Sequence, residues 1–183
     1  MTGASDPASP DQPRPDVRVD HVGIAVESVA DAEPLLELLG AEKLVHETDP
    51  TGAFRWAYYL LGDASRVELI EPVRDERPEE SPGSGDAPDE SFLTEFLAEN
   101  GPGVHHVTLE VGDMDATIDL LDDEGVRVVD RTDYEGWSEA FVSPRNPTGV
   151  LFQLMEYHEP FAAGRPDPER LYLHGERLGA DET

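Results

Sequence analysis

The sequence predicts an α+β fold made of two tandem β-α-β-β-β modules, and three observations carry that prediction. His21 and His106 are 85 residues apart, and so are Glu68 and Gln153. Each of these residues sits in a strand-like segment that resembles its partner's: DHVGIAV against HHVTLEV, and RVELIEP against LFQLMEY. The order of strand and helix patterns between them also recurs. An internal repeat of this kind decides the fold before any single element does. Two copies facing each other would bring four nitrogen and oxygen ligands to one centre.

Residues 1–16 are rich in Pro, Asp, Ser and Gly without apolar periodicity, and read as a disordered tail. Module one spans 17–72. VRVDHVGIAV (17–26) reads as a strand. VADAEPLLELLG (29–40) reads as a helix with Pro34 near its first turn and Gly40 at its end. KLVHE (43–47), FRWAYYLLG (54–62) and RVELIEP (66–72) read as three further strands. Residues 73–90 form an acidic linker rich in Pro, Ser and Gly. Module two spans 91–158 and opens with a short helix, FLTEFLAEN (92–100). The order then repeats. VHHVTLEV (104–111) is a strand, and MDATIDLLDDEG (114–125) is a helix ending at Gly125. VRVVDR (126–131), SEAFVSP (138–144) and GVLFQLMEY (149–157) are strands. Residues 159–183 carry Pro166 and Pro168 before LYLHGERL and form a C-terminal extension.

Successive strand residues point to opposite faces. In the first strand Val22, Ile24 and Val26 share one face, and His21, Gly23 and Ala25 the other. In its counterpart Val107, Leu109 and Val111 share one face, and His106, Thr108 and Glu110 the other. The apolar faces should cover the helices. The His-bearing faces have small or polar neighbours, as the wall of a ligand-lined cavity would. His105 points away from His106, and the register matches His106, not His105, to His21. His46, His105, His158 and His174 have no repeated partner and read as surface or structural histidines. Glu156 and Glu159 read as solvated charges, and Arg145 and Asn146 as turn residues.

With no cysteine, disulfides and thiolate metal sites are excluded. Imidazole, carboxylate and amide ligands suit Zn, Ni, Co, Mn, Fe(II) or Mg. The net charge is −28, from 41 acidic and 13 basic residues, and Lys43 is the single lysine. An acidic, lysine-poor surface resembles proteins of organisms that accumulate salt, where salt screens the self-repulsion. It argues against nucleic-acid binding, which needs a positive footprint. No apolar run approaches membrane-spanning length and the N-terminus is no signal peptide, so the expectation is a soluble cytoplasmic protein.

DHVGIAV, RVELIEP, GPGVHHVTLEVGDMDATIDLLDDEGVRVV and FVSPRNPTGVLFQLMEY together resemble the vicinal oxygen chelate superfamily over about residues 19–158. That superfamily includes glyoxalase I, methylmalonyl-CoA epimerase, extradiol dioxygenases and fosfomycin-resistance proteins. The GVHHVTLEV segment, its helix and the P-x-x-x-G-V-L-x-x-L ending look most like methylmalonyl-CoA epimerase. The resemblance implies paired modules whose mixed sheet curls around a central cavity holding one divalent metal ion. It places the metal ligands on the first and fourth strands of each module, at His21, Glu68, His106 and Gln153. Such a metal binds two oxygens of a small-molecule substrate and stabilises an enolate or related oxyanion. The resemblance leaves open whether modules pair within one chain or between the chains of a homodimer.

Two departures from the epimerase pattern stand out. Those enzymes carry Glu at the last ligand position, where this chain has Gln153. They also carry a base carboxylate on the third strand of module one, where AFRWAYYLL has none. Glu68 is then the only carboxylate among the four, and serves as both ligand and base in a glyoxalase-like scheme. Glu47, Glu135 and Glu139 are further carboxylates of undetermined orientation. Arg55 and Trp56 on the third strand are candidates to contact an anionic or extended substrate. Three functions follow. The first is a metal-dependent isomerase or lyase that abstracts a proton beside a carbonyl. The alternatives are a non-haem Fe(II) extradiol-type dioxygenase, since two His and one carboxylate suit Fe(II), and a non-catalytic binding or resistance protein.

Overall fold

The computed structural model describes residues 16–49, 52–62, 65–73 and 92–158, together with the backbone of two short paired strands at 172–173 and 176–177. Almost all of the expected tail, linker and C-terminal extension lies outside the described residues. The elements are β1 (Val17–Ala25), α1 (Val29–Leu38), β2 (Glu42–Thr48), β3 (Phe54–Leu61) and β4 (Ser65–Pro72). They are followed by α2 (Phe92–Asn100), β5 (Gly103–Val111), α3 (Met114–Asp123), β6 (Val128–Asp133), β7 (Trp137–Val142) and β8 (Leu151–Tyr157).

The eight strands form one curled, unclosed mixed sheet in the order β2-β3-β4-β1-β5-β8-β7-β6. The order reads the same from either edge once module two replaces module one. β1 pairs with β4 in parallel, as β5 does with β8, and β1 and β5 meet antiparallel at the centre. That β1–β5 seam is the strand pairing through which the two modules join.

The repeat extends to the helix starts. Ser28 caps α1 by accepting from Asp31 N at 3.3 Å, and Asp113 caps α3 by accepting from Ala116 N at 2.9 Å. A carboxylate from the fourth strand of each module then meets the first helical N–H. Glu71 accepts from Val29 N at 2.6 Å, and Glu156 accepts from Met114 N at 2.9 Å. Negative charge is favourable at a helix N-terminus because the amide dipoles point their positive ends there. Glu156 is therefore not the solvated charge expected from sequence.

The helices end as the glycines predict, with Gly40 at φ 84° and Gly125 at φ 73°. Val126 N bonds back to Leu121 O at 2.8 Å, closing α3. That bond keeps Val126 and Arg127 out of the strand expected at 126–131, and β6 begins at Val128.

Three apolar clusters fix the sheet's faces. Val29 and Leu36 of α1 pack with Ala57, Tyr59 and Leu69. Met114 of α3 packs with Val111, Ala140, Val142 and Leu154. On the opposite, inner face, Leu93 and Leu97 of α2 pack with Ala25 and Ile70, against Phe54 and Trp56. The inner face is thus closed at one end by α2, and the His-bearing strands lie along it.

Candidate metal centre

His21, Glu68 and His106 are all buried and present one ligand atom each, all within 4.8 Å of one another. Glu68 Oε2 lies 3.7 Å from His21 Nε2 and 3.3 Å from His106 Nε2. The two imidazoles stand edge to face, 5.6 Å apart. The register explains the convergence, because Gly23 pairs with Glu68 on one side and with His106 on the other.

A bulge before each histidine aims its ring. In β1 the pairing slips between Val19 and His21, leaving Asp20 as the extra residue; in β5 the slip leaves out His105. Asp20 and His105 are again 85 residues apart. Bulges re-aim side chains, and both extra residues turn to the Nδ1 side of the neighbouring ring. Asp20 Oδ1 accepts from His21 Nδ1 at 2.7 Å, and His105 Nδ1 lies 3.0 Å from His106 Nδ1. Asp20 is itself held by Arg66 and by the Tyr157 hydroxyl at 3.3 Å. Occupying Nδ1 leaves Nε2 of each ring facing the centre, as in carboxylate–histidine–metal arrangements. His105 is thus more than an isolated structural histidine.

Gly23 and Thr108 hold the same place in the two modules, 85 residues apart, and differ for a steric reason. A Cβ on Gly23 would overlap the His106 imidazole. Thr108 instead places its hydroxyl 2.9 Å from His21 Nε2 and donates to Gln153 Oε1 at 2.7 Å. Gln153 therefore joins the centre through Thr108. Gly23→Ala is expected to push the His106 ring aside, costing about 1–3 kcal/mol of stability by overpacking. Its Co²⁺ affinity should fall at least about 10-fold, as loss of ring orientation implies. Calorimetric titration and urea unfolding check both effects.

The electrostatics suit a cation. Burial opposes protonation of His21, but its hydrogen bond with Asp20 and the nearby Glu68 charge outweigh it and raise its pKa. Burial likewise opposes ionisation of Glu68, but the His106 and His21 imidazoles beside it, 3.3 and 3.7 Å from its Oε2, win and hold it below the usual carboxylate range. Two imidazoles and an ionised carboxylate converge, yet His106 Nε2 is buried without a hydrogen-bond partner. An unsatisfied buried nitrogen costs roughly 1–3 kcal/mol, and a divalent ion would supply its missing partner. The donor set fits one such ion.

Tyr58, which the sequence reading passed over, sits opposite Glu68 in the β3–β4 register. Its hydroxyl lies 3.2 Å from His21 Nε2. Burial and the Glu68 charge push its pKa well up, so it stays a neutral O–H. Trp56, two residues along the same face, packs edge-on to Tyr58 at 5.1 Å. Arg55 is not brought to the centre. Adjacent strand residues alternate, so it points to the α1 face and pairs with Glu71 at 3.1 Å. Glu139 reaches the inner face and takes a hydrogen bond from Gln153 Nε2 at 2.8 Å. Asn146 serves its turn, bonding Ser143 O and Val150 O at 2.8 and 2.7 Å.

Burial against α2 and the charge of His106 push the His105 pKa down to about 4. Its ring packs on Phe96 at 4.9 Å and Phe92 at 5.4 Å. A folded pKa below the unfolded 6.5 means that the unfolded chain binds the proton more readily. The neutral ring's contribution is therefore complete above pH 6.5 and is lost as pH falls from there towards 4. Between pH 7 and 5, metal-free His105→Phe should lose about 1 kcal/mol less stability than the parent, after allowance for solvent screening. Urea unfolding at the two pH values measures it.

Residues 20–141 match the sequence model of the glyoxalase/bleomycin resistance protein/dioxygenase superfamily. An uncharacterised Bacillus subtilis protein, YqjC, is 32% identical over 143 residues, covering 76% of this chain and 91% of its own. The ethylmalonyl-CoA/methylmalonyl-CoA epimerase of Cereibacter sphaeroides is 29% identical, covering 75% of this chain and 96% of its own. Among solved structures, a variant of Streptomyces coelicolor methylmalonyl-CoA epimerase in complex with 2-nitronate-propionyl-CoA is 30% identical, with a TM-score of 0.61. That match covers 78% of this chain and 96% of the other.

Proposed function

The chain belongs to the glyoxalase/bleomycin resistance protein/dioxygenase superfamily, and we propose that it is an epimerase-like metalloenzyme moving a proton at the carbon beside the thioester carbonyl of a coenzyme A ester. The observation that carries this reading is the buried His21–Glu68–His106 cluster with its unpartnered His106 nitrogen. The names of the epimerase relatives supply the substrate class. His21, Glu68 and His106 would hold the ion, and the Gln153 amide oxygen would add a neutral fourth donor. A divalent ion of the Co, Ni, Zn, Mn or Fe class would stabilise charge developing on the substrate oxygen.

The chain's own groups divide the remaining work. Glu68 is ionised and is the proposed base, since the amide of Gln153 cannot take a proton. Tyr58 keeps its proton and can donate a hydrogen bond beside the centre. Trp56 and the α2 side chains wall the inner face. The test is exchange of the C2 proton of methylmalonyl-CoA with deuterated solvent, followed by NMR. Exchange is expected with added Co²⁺ and is expected to stop with chelator. Absence of exchange with both methylmalonyl-CoA and a hemithioacetal would overturn the proposal.

One observation favours a second reading. Two histidines and one carboxylate form the ligand set of non-haem Fe(II) oxygenases, and the cluster has that composition. Oxygen uptake with a catechol in the iron-loaded protein would select it. Proton exchange with Co²⁺ under anaerobic conditions would dismiss it.

A further inference from the structure

The two ends of the Gln153 side-chain amide are alike in shape, and only their neighbours decide which end faces Thr108 and which faces Glu139. On one side stands Glu139. Its Oε2 takes the Gln153 Nε2 hydrogen bond at 2.8 Å, and its Oε1 takes one from the Tyr134 hydroxyl at 3.1 Å. On the other side stands Thr108, which donates to Gln153 Oε1 at 2.7 Å and lies 2.9 Å from His21 Nε2. A threonine hydroxyl can donate or accept, so it leaves the amide free to flip. An ionised carboxylate only accepts, so a flipped Gln153 would set its carbonyl oxygen against Glu139. A neutral amide binds a cation through its oxygen, because its nitrogen offers no lone pair.

We propose that Glu139 is a positioning residue that turns the oxygen of Gln153 towards the metal centre and makes this amide a competent ligand. The proposal rests on the reading of His21, Glu68 and His106 as a metal site. Glu139 also explains why position 153 is an amide. A carboxylate there would have no N–H to give and would repel its neighbour. By pulling on the N–H, the Glu139 charge polarises the amide and makes its oxygen a better donor, as outer partners do for other metal ligands.

The probe is Co²⁺, read by competition titration and by its visible absorption, with the melting temperature of each metal-free variant as the control for folding. Glu139→Leu should lower Co²⁺ affinity by about 10–100-fold and alter the cobalt spectrum, with metal-free melting close to the parent. The exchange variant E139Q/Q153E, with the carboxylate at 153 and the amide at 139, keeps a donor facing an acceptor. It should recover at least the parent affinity, whereas Q153E alone should not. If the parent binds Co²⁺ and E139L matches it in affinity and spectrum, the positioning role is overturned while the metal centre stands. If the exchange variant binds no better than E139L, the positioning role is likewise overturned. If the parent binds no Co²⁺, the metal reading itself falls and the proposal falls with it.

Discussion

Glu68→Gln is expected to lower turnover by about 10²–10⁴-fold, the usual contribution of a positioned general base. The substitution keeps the shape of the side chain and an oxygen that can ligate. It removes the proposed proton acceptor. Glu68 stands 3.3 Å from His106 Nε2 and 3.7 Å from His21 Nε2, so some metal affinity should be lost as well. The assay is therefore run with Co²⁺ in saturating excess, with bound metal measured in the same samples. Exchange within about tenfold of the parent at full occupancy would remove Glu68 as the base. The proton acceptor would then have to be sought elsewhere on the inner face.

The second large effect concerns the histidines. His21→Ala and His106→Ala should each lose more than about 100-fold in Co²⁺ affinity, beyond the loss typical of an outer partner. The two should differ in stability. Removing the His21 ring takes a partner from the buried Asp20 Oδ1 and from the Tyr58 hydroxyl, while Thr108 keeps its bond to Gln153. Buried groups deprived of a partner each cost roughly 1–3 kcal/mol. Removing His106 opens space over Gly23 and takes one neighbour from Glu68, which keeps His21 beside it. The metal-free melting temperature should therefore fall further for His21→Ala. Metal content unchanged in both variants would defeat the central claim.

Much of this site could be read from spacing. The 85-residue offset placed His21, Glu68, His106 and Gln153 on matching strands, and period-two alternation put His21 with Gly23 and His106 with Thr108. The bulges at Asp20 and His105 could not be read, because a local slip in backbone pairing leaves no mark on the pattern of apolar and polar residues. Both slips fall just before the candidate histidine, so the alternation beyond them survives. That is why His21 and His106 share the face that alternation gives them, whereas His105, expected to point away from His106, turns to α2 and to the Nδ1 side of that ring. Arg55 illustrates the opposite case. Strict alternation sets it on the other face from Trp56, where Glu71 waits. Glu156 and Glu139 depend on contacts to a helix start and to a neighbouring strand, which a chain this rich in carboxylates hides among many alternatives.

The seam between β1 and β5 also constrains the order of folding. Hairpin strands join residues at most 20 apart, as in Trp137 with Tyr157. The parallel pairs join residues 45 apart, as in Val22 with Val67 and His106 with Leu151. Across the seam the separation reaches 94, in Val17 with Val111. Closure entropy rises with loop length, by about 0.6 kcal/mol for each doubling, and contacts distant in sequence slow folding. Each half can therefore zip its hairpins and dock its helix before the halves meet. An isolated half presents one histidine and one fourth-strand candidate, so the full candidate set comes into being only with the last and longest closure.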